Sequence, residues 1–514
     1  MNKFYPTHNR IIYQIYPLSF YDSNGDGYGD LNGITEKLDY FTDLGINIIW
    51  LSPIFTSPMK DFGYDVADYY TIDPKFGTMH DFENLVRKFH AKGIKILLDY
   101  VPNHTSDQHP WFVESRSNTT NSKRDWYVWK KGKRENVPPN NWISAFGGSS
   151  WEYDKTTHEW YLHDFLKEQP DLNWRNPQVK KEMFNVLDFW LKKGVDGFRL
   201  DALAFLFEDP LFPDDPKNND FNPQKQIPWD CLKRKYDFNL PEVKNLIYEI
   251  AEYVSRYPNT VLLTEIYDDL DRLKDMYFTV NTTTNIPFNF NLMFLEWNAQ
   301  TFKTTIDAYD AAIGPKNTPN YVLSNHDQPR IVSRVGPLKA RLLAFMQLTL
   351  RGMPIIYYGD ELGMENTPID PNKMKDPLGI RVAPRFCRDP YRSPMQWNGN
   401  INAGFSKQDP WLPINQNYKS INVQDESSYP HSFLNLYKRL IYLKKSHPCL
   451  LDGSFSFINS SNPSILAFER KKDDKTLLIL LNFANKTEKF ISTYKHGKIL
   501  CDSQLCQNSM RIDC

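Results

Sequence analysis

The chain has 514 residues, 41% apolar and 24% charged, with a formal net charge of −1. That balance is ordinary for a globular protein with large buried cores. It gives no support to binding of nucleic acid or anionic membranes, and no apolar run approaches the roughly 18 residues of a transmembrane helix. Aromatics reach 15%, with 13 Trp, 29 Tyr and 33 Phe, an excess that suits stacking on sugar C–H faces or well-filled cores. The six cysteines are sparse. Cys231, Cys387 and Cys449 are scattered, and Cys501, Cys506 and Cys514 lie near the end. None makes a C-x-x-C pair, which argues against zinc. Free thiols are expected; a Cys501–Cys506 disulfide would need an oxidising compartment. The first ten residues lack the apolar stretch of a signal peptide. If Met1 is the native start, the protein is cytoplasmic; otherwise secretion stays open.

Taken in chain order, short apolar runs with turn or acid punctuation mark eight strand candidates: 10–17, 47–53, 95–101, 197–202, 260–266, 284–290, 321–327 and 353–360. Helical spacing lies between them, as at 81–92 (Phe82, Leu85, Val86, Phe89), 179–193 and 241–257. Strand alternating with helix predicts parallel strands joined by helical crossovers, and eight strands close a barrel. After the first strand, Asp22, Asn24, Asp26, Tyr28 and Asp30 alternate with other residues, three of them glycines. Such oxygen donors fit Ca²⁺, although the Gly at position 33 rules out an EF-hand. After the third strand, residues 105–176 hold seven of the 13 Trp. That stretch is too long for a βα loop and too aromatic for disorder, so a small inserted domain over the barrel mouth is expected. Residues 209–228, rich in Pro, Asp and Asn, form a long loop after the fourth strand. Past a helix at 433–445, short strands follow at 454–458, 466–470 and 476–482. The predicted fold is therefore α/β. A (β/α)8 TIM barrel (1–104 and 177–447) carries an inserted domain (105–176) and a C-terminal antiparallel β-sandwich (448–514).

Three strand candidates end in acids: Asp201, Glu265 and Asp327. Acids at successive strand ends suggest an active site at the barrel mouth. Alternation along the fourth strand turns Arg199 and Asp201 into the barrel and Phe198 and Leu200 toward the helices. A guanidinium beside Asp201 is expected to lower its pKa and keep it ionised. Adjacent strands lie about 4.8 Å apart. Asp201 and Glu265 can therefore approach the roughly 5–5.5 Å of a retaining glycosidase rather than the wider gap of an inverting one.

Four motifs occur in order: Asp99-Tyr-Val-Pro-Asn-His104, Gly197-Phe-Arg-Leu-Asp201, Thr264-Glu265 and Asn325-His-Asp327. In these the chain resembles the α-amylase family of glycoside hydrolases (family 13), in its α-glucosidase and oligo-1,6-glucosidase branch, from about Ile12 to the C-terminal sandwich. The resemblance implies Asp201 as nucleophile, Glu265 as general acid/base and Asp327 as stabiliser of the distorted sugar. It implies that His104 and His326 hydrogen-bond sugar hydroxyls in the first subsite, while Asp99 orients Arg199. It also implies that Asp61 and Tyr64 grip the non-reducing glucose. Arg392 would pair with Asp61 over that sugar, closing the pocket and restricting attack to chain ends. Phe165 would supply an aromatic wall from the inserted domain. A single structural Ca²⁺, with Mg²⁺ as the alternative ion, would sit on Asp22, Asn24, Asp26, the Tyr28 carbonyl and Asp30; no organic cofactor is implied.

Ala202, just after the nucleophile, is expected beneath the next sugar. In the family this chain resembles, Val at that place goes with α-1,6 bonds and smaller residues with α-1,4. The segment 169–174 looks like the version in 1,6-acting relatives and pulls the other way. The expectation is an exo-acting retaining α-glucosidase on short α-1,4-glucosides such as maltose. Oligo-1,6-glucosidase, sucrose hydrolase and glucosyl transferase or sucrose isomerase stand as alternatives. A non-enzymatic transporter heavy chain is a remote one, because such relatives lose the acids kept here. The expected partners are small α-glucosides, with neither nucleic acid nor membrane, and the protein is expected as a monomer or homodimer.

Overall fold

The computed structural model describes residues 10–502 apart from 135, 267–269, 493, 495 and 496. Its centre is a curled parallel sheet. Strand one (Ile12–Ile15) lies between strand two (Ile48–Leu51) and strand eight (Ile355–Tyr357). Beyond strand two come strand three (Lys95–Tyr100), strand four (Gly197–Leu200), strand five (Val261–Thr264) and strand six (Thr283–Pro287). Strands two, five and eight are built mainly of Ile, Leu and Val, with Trp50, Thr264 and Tyr357 among them, and each is wholly buried, as a sheet covered on both faces requires. Helices Met79–Ala91, Pro177–Lys192, Glu242–Val254, Ala299–Ile313 and Pro337–Thr349 surround it. Each presents an apolar stripe; that of Glu242–Val254 is Val243, Leu246, Ile247, Ile250, Ala251 and Val254.

The seventh position differs from the expected strand at 321–327. Among the described residues it makes one parallel bridge, Val322 to Ile355, and the Val322 amide donates to the Asn289 carbonyl at 3.1 Å. Side-chain amides replace the rest of the ladder. Gln347 Nε2 donates to the carbonyls of Tyr321 (2.7 Å) and Ile355 (3.1 Å), and Asn320 Oδ1 accepts from the Asn289 amide. The barrel is closed here by buried polar side chains, each satisfied as burial demands.

Residues 105–176 contain the helix Pro110–Ser117 and a three-stranded antiparallel sheet, with Glu159–Leu162 between Trp129–Lys130 and Trp151–Asp154. Trp142 and Trp151 are buried with Val128 and Leu162 in a small core of their own. Much of the aromatic excess in this segment is therefore packing. At the C-terminal end the described residues form one antiparallel sheet, Ser454–Ile458, Ile465–Lys472 and Lys475–Asn482, where two layers were expected. Buried Arg470 ties it to the barrel by donating to the carbonyls of Thr349, Leu450 and Gly453. Cys231, Cys387, Cys449 and Cys501 are free thiols; Cys506 and Cys514 lie outside the described residues. Among the described residues no helix is long and apolar enough to cross a membrane.

Candidate active site

Strands four and five run in parallel register with Leu200 opposite Thr264, so the next residues, Asp201 and Glu265, emerge side by side at the barrel mouth. One guanidinium holds both. Arg199 Nη1 lies 2.5 Å from Asp201 Oδ1, and Nη2 lies 2.7 Å from Glu265 Oε2. Nη1 also meets Asp99 Oδ1, on the end of strand three, at 2.7 Å. Two carboxylates on one planar fork stand close together. Asp99 is fully buried, whereas Asp201 and Glu265 keep 10% and 9% of their side chains exposed. The first supports Arg199, as expected; the other two face the mouth. After Asp201 the backbone turns through Ala202 at φ 49°, ψ 32°, a left-handed conformation uncommon outside Gly. This turn points the Ala202 amide at Glu265 Oε2, 3.2 Å away.

Tyr64 and His326 stack at 5.4 Å. The Tyr64 hydroxyl lies 2.7 Å from His326 Nε2 and donates to Asp99 Oδ2, while Gln14 Nε2 holds His326 Nδ1 at 2.7 Å. His104 Nε2 is 3.0 Å from Gln169 Nε2, and the His104 ring packs on Phe165 at 5.1 Å. The loop carrying Asp61 and Tyr64 is shaped by Asp65, whose carboxylate accepts from the amides of Lys60 and Asp61 and the Ser57 hydroxyl. Gly63, at φ 107°, lies so close to the Pro53 carbonyl that a Cβ would meet it at 3.0 Å.

The expected pairing of Arg392 with Asp61 is corrected by the structure. Arg388 makes that bond, Nη2 to Asp61 Oδ1 at 2.9 Å. Arg392 is fully buried and donates to Asp327 Oδ1 (2.8 Å) and the His326 carbonyl (2.8 Å). The short turn Asp389–Tyr391 aims both arginines inward. Asp376 then decides between them, accepting from Arg388 Nη2 at 2.7 Å and Nε at 3.0 Å. Arg388 Nη1 reaches Asp327 Oδ1 as well, at 3.0 Å. Arg388, Asp376, Gln169 and Gln14 thus join the site without having been expected there. Arg388 opens the very motif that suggested Arg392, and Gln169, which also donates to Asp61 Oδ2 at 3.4 Å, opens the segment 169–174.

Charge balance differs across the mouth. Burial pushes Asp201 well above the usual carboxylate range; Arg199 pulls it back, but Glu265 and Asp99 push it up again. Arg199 lowers the Asp201 pKa, as expected, but burial, with Glu265 and Asp99 beside it, outweighs that pull, so Asp201 is not held low. Asp99 rises to about 6, through burial opposed by Arg199. Asp61 is raised by burial against the pull of Arg388 and Arg392. Asp327 goes the other way. Burial would raise it, but His326, Arg388 and Arg392 hold it well below the ordinary value. Since burial pushes His326 itself down, the two guanidiniums are the lasting cause. Burial also takes His104 down to about 3.

The loop after strand one carries the oxygen donors expected of a cation site. Asp22 accepts from the amides of Asn24, Gly25 and Gly27 and the Ser406 hydroxyl. Asn24 and Asp26 each accept from the amide two residues on, and Asp30 accepts from Ser23 and Gly33. The donor chemistry fits a hard cation. The side chains serve here as turn caps, and among the described residues no three His, Cys, Asp or Glu side chains are gathered as ligands.

The α-amylase catalytic-domain model matches residues 14–453. The chain belongs to the α-amylase family of glycoside hydrolases. It is 41% identical over 491 residues to the α-glucosidase of Apis mellifera, covering 93% of this chain and 85% of that protein. It is 38% identical to the oligo-1,6-glucosidase of Parageobacillus thermoglucosidasius, covering 93% and 91%. Among solved structures it is similar to the α-glucosyl transfer enzyme XgtA, with a TM-score of 0.87, 37% identity and coverage of 93% and 91%. A family-13 enzyme acting on glucosides, with small sugars as substrates, follows from these relatives.

Proposed function

We propose that this enzyme is an exo-acting, retaining α-glucosidase that removes glucose from the non-reducing end of short α-glucosides, preferring α-1,4 bonds. The observation that carries the reading is one guanidinium holding Asp201 and Glu265 at adjacent strand ends. In this reading the Asp201 carboxylate attacks the anomeric carbon, the bond to the leaving oxygen breaks, and Glu265 gives that oxygen its proton. Glu265 then takes a proton from water, which displaces Asp201 and releases α-glucose. Asp327, kept ionised by Arg388 and Arg392, would stabilise the positive charge that develops on the ring. The Asp61–Arg388 bond supports exo action, because it walls the side formed by the loops after strands two and eight. Tyr64, His104 and His326 would hold hydroxyls of the bound glucose, with Phe165 beside it.

Following fresh hydrolysis of p-nitrophenyl α-glucoside by NMR tests the mechanism: α-glucose should appear first, and initial release of β-glucose would sink it. Ala202 supports the α-1,4 preference. A second reading, glucosyl transfer to another sugar, is favoured by the similarity to XgtA; transfer products at high maltose would establish it. We also propose that Asp22, Asn24, Asp26, the Tyr28 carbonyl and Asp30 hold a structural Ca²⁺, Mg²⁺ being the alternative. Ca²⁺ at about 100-fold its Kd should stabilise the fold by about 2.7 kcal/mol. An unchanged melting temperature between exhaustive chelation and added Ca²⁺ would count against it.

A further inference from the structure

A cavity of about 410 Å³ is lined by Lys233, Arg234, Lys235, Phe238 and Arg272, among others, and among the described residues no acid lines it. It lies between the loops that follow strands four and five. Asn239, on its wall, is bonded through its amide to the Ala204 carbonyl, three residues past Asp201. Phe238 packs on Phe205 at 5.0 Å, and Phe205 packs on Phe165 at 5.0 Å. Arg272 sits in the helix Leu270–Leu273, a few residues beyond Glu265. The Asp61–Arg388–Arg392 wall comes from loops after strands two and eight. In an eight-membered ring, strands four and five stand across from strands eight and one. A sugar walled at that end must project its leaving group toward the loops after strands four and five.

We infer that this cavity receives the leaving group, and that its charge fits a small aglycone or acceptor bearing a carboxylate or phosphate. The inference rests on the glucosidase reading. Arg234 is neutralised by Asp237 at 3.1 Å, so the side chains of Lys233 and Lys235 carry the argument. Both are exposed, and Lys235 lies 4.8 Å from the Tyr236 ring. Phe238 and Leu240 give the walls an apolar face on which a ring can rest. The volume is that of a small-ligand site, near the lower end of the usual range of about 300–1,000 Å³.

The test compares 4-carboxyphenyl with 4-carbamoylphenyl α-glucoside, two leaving groups of nearly one shape that differ by a charge. The carboxylate is the poorer leaving group, so a preference for it has to come from binding. At low ionic strength kcat/KM should favour it about tenfold, the scale of two partly exposed ion pairs, and about 0.5 M salt should erase most of the preference. Lys233→Gln/Lys235→Gln should bring the ratio toward one. 4-Phosphonophenyl α-glucoside separates carboxylate from phosphate recognition. Cleavage of both aryl glucosides with no preference for the anion overturns the inference and leaves the glucosidase reading standing. A preference that survives the double substitution also overturns it. Cleavage of neither overturns both readings.

Discussion

Two groups of acids face each other across one barrel mouth with different numbers of cations between them. On strands three to five, Asp99, Asp201 and Glu265 share the single guanidinium of Arg199. On the opposite side, Asp61, Asp327 and Asp376 meet two, Arg388 and Arg392. The same residue type behaves differently in the two places: Asp201 is driven well above the usual range and Asp327 well below it. A like charge nearby disfavours ionisation and an opposite one favours it, while burial works against every acid here and still raises Asp61 beside both guanidiniums. In the mechanism proposed above, the acid that must stay ionised beside the sugar, Asp327, is the one met by two guanidiniums.

The largest effects should come from breaking the first group. Asp201→Asn should lower kcat by about 10⁴-fold or more, as loss of a nucleophile does. Glu265→Gln should cost about 10²–10⁴-fold on maltose, and far less glycosylation rate on an aryl glucoside that leaves without a proton. An equal loss on both substrates would remove Glu265 from the acid role. Breaking the second group comes next. Arg388→Met strips a cation from Asp61, Asp376 and Asp327, and one-sided loss of a buried pair typically costs about 3–5 kcal/mol, measurable by denaturant unfolding. Asp327 has a depressed folded-state pKa, so its contribution is present above its unfolded pKa of about 3.9 and is lost as pH falls through the folded value. With one guanidinium gone that folded value rises, less stability is linked to ionisation, and acid unfolding should begin at higher pH. Asp99→Asn sharpens the comparison more gently. It removes a like charge from beside Asp201, so the Asp201 pKa falls and the acid limb of kcat/KM should move to lower pH, by roughly one unit. A limb that stays or moves up would show that Asp99 acts only by anchoring Arg199.

Strands one to five were legible because their ladders are built by apolar backbone runs with a residue at each end that marks a turn or an acid. The seventh was not, because there Gln347 and Asn320 do the work of the backbone, and a glutamine on a helix carries no sign of the carbonyl it will meet. Asp201, Glu265 and Asp327 could be found because each ends a strand candidate. Arg388 could not be told from Arg392 by spacing: four residues apart around one turn, both reach the site. The choice was made by Asp376, which is distant in pattern and adjacent only in the fold. The pull of Arg199 on Asp201 was legible along one strand, whereas the upward net shift was not, because it comes from burial and from Glu265 on the next strand.

The smallest expected effect concerns linkage. Ala202 lies between Asp201 and Glu265 in the sense that matters for packing: it follows the first and its amide donates to the second. Wild type should prefer maltose to isomaltose, and Ala202→Val should raise the isomaltose-to-maltose ratio of kcat/KM, by no more than the roughly 10–200-fold that a methylene-scale change is worth. The backbone supplies a competing effect. At φ 49° a β-branched side chain is a genuine outlier, so Val will strain the turn and lower the melting temperature. If it pushes φ negative, the amide swings away from Glu265 and both substrates suffer alike. The ratio separates the two effects, because the fraction of intact enzyme cancels between substrates measured on one preparation. A ratio that rises while both absolute rates fall supports space beneath the next sugar as the determinant. A fixed ratio with falling rates assigns Ala202 to positioning of Glu265 alone, and a wild type that already prefers isomaltose tenfold transfers the protein to the 1,6-acting side of its family.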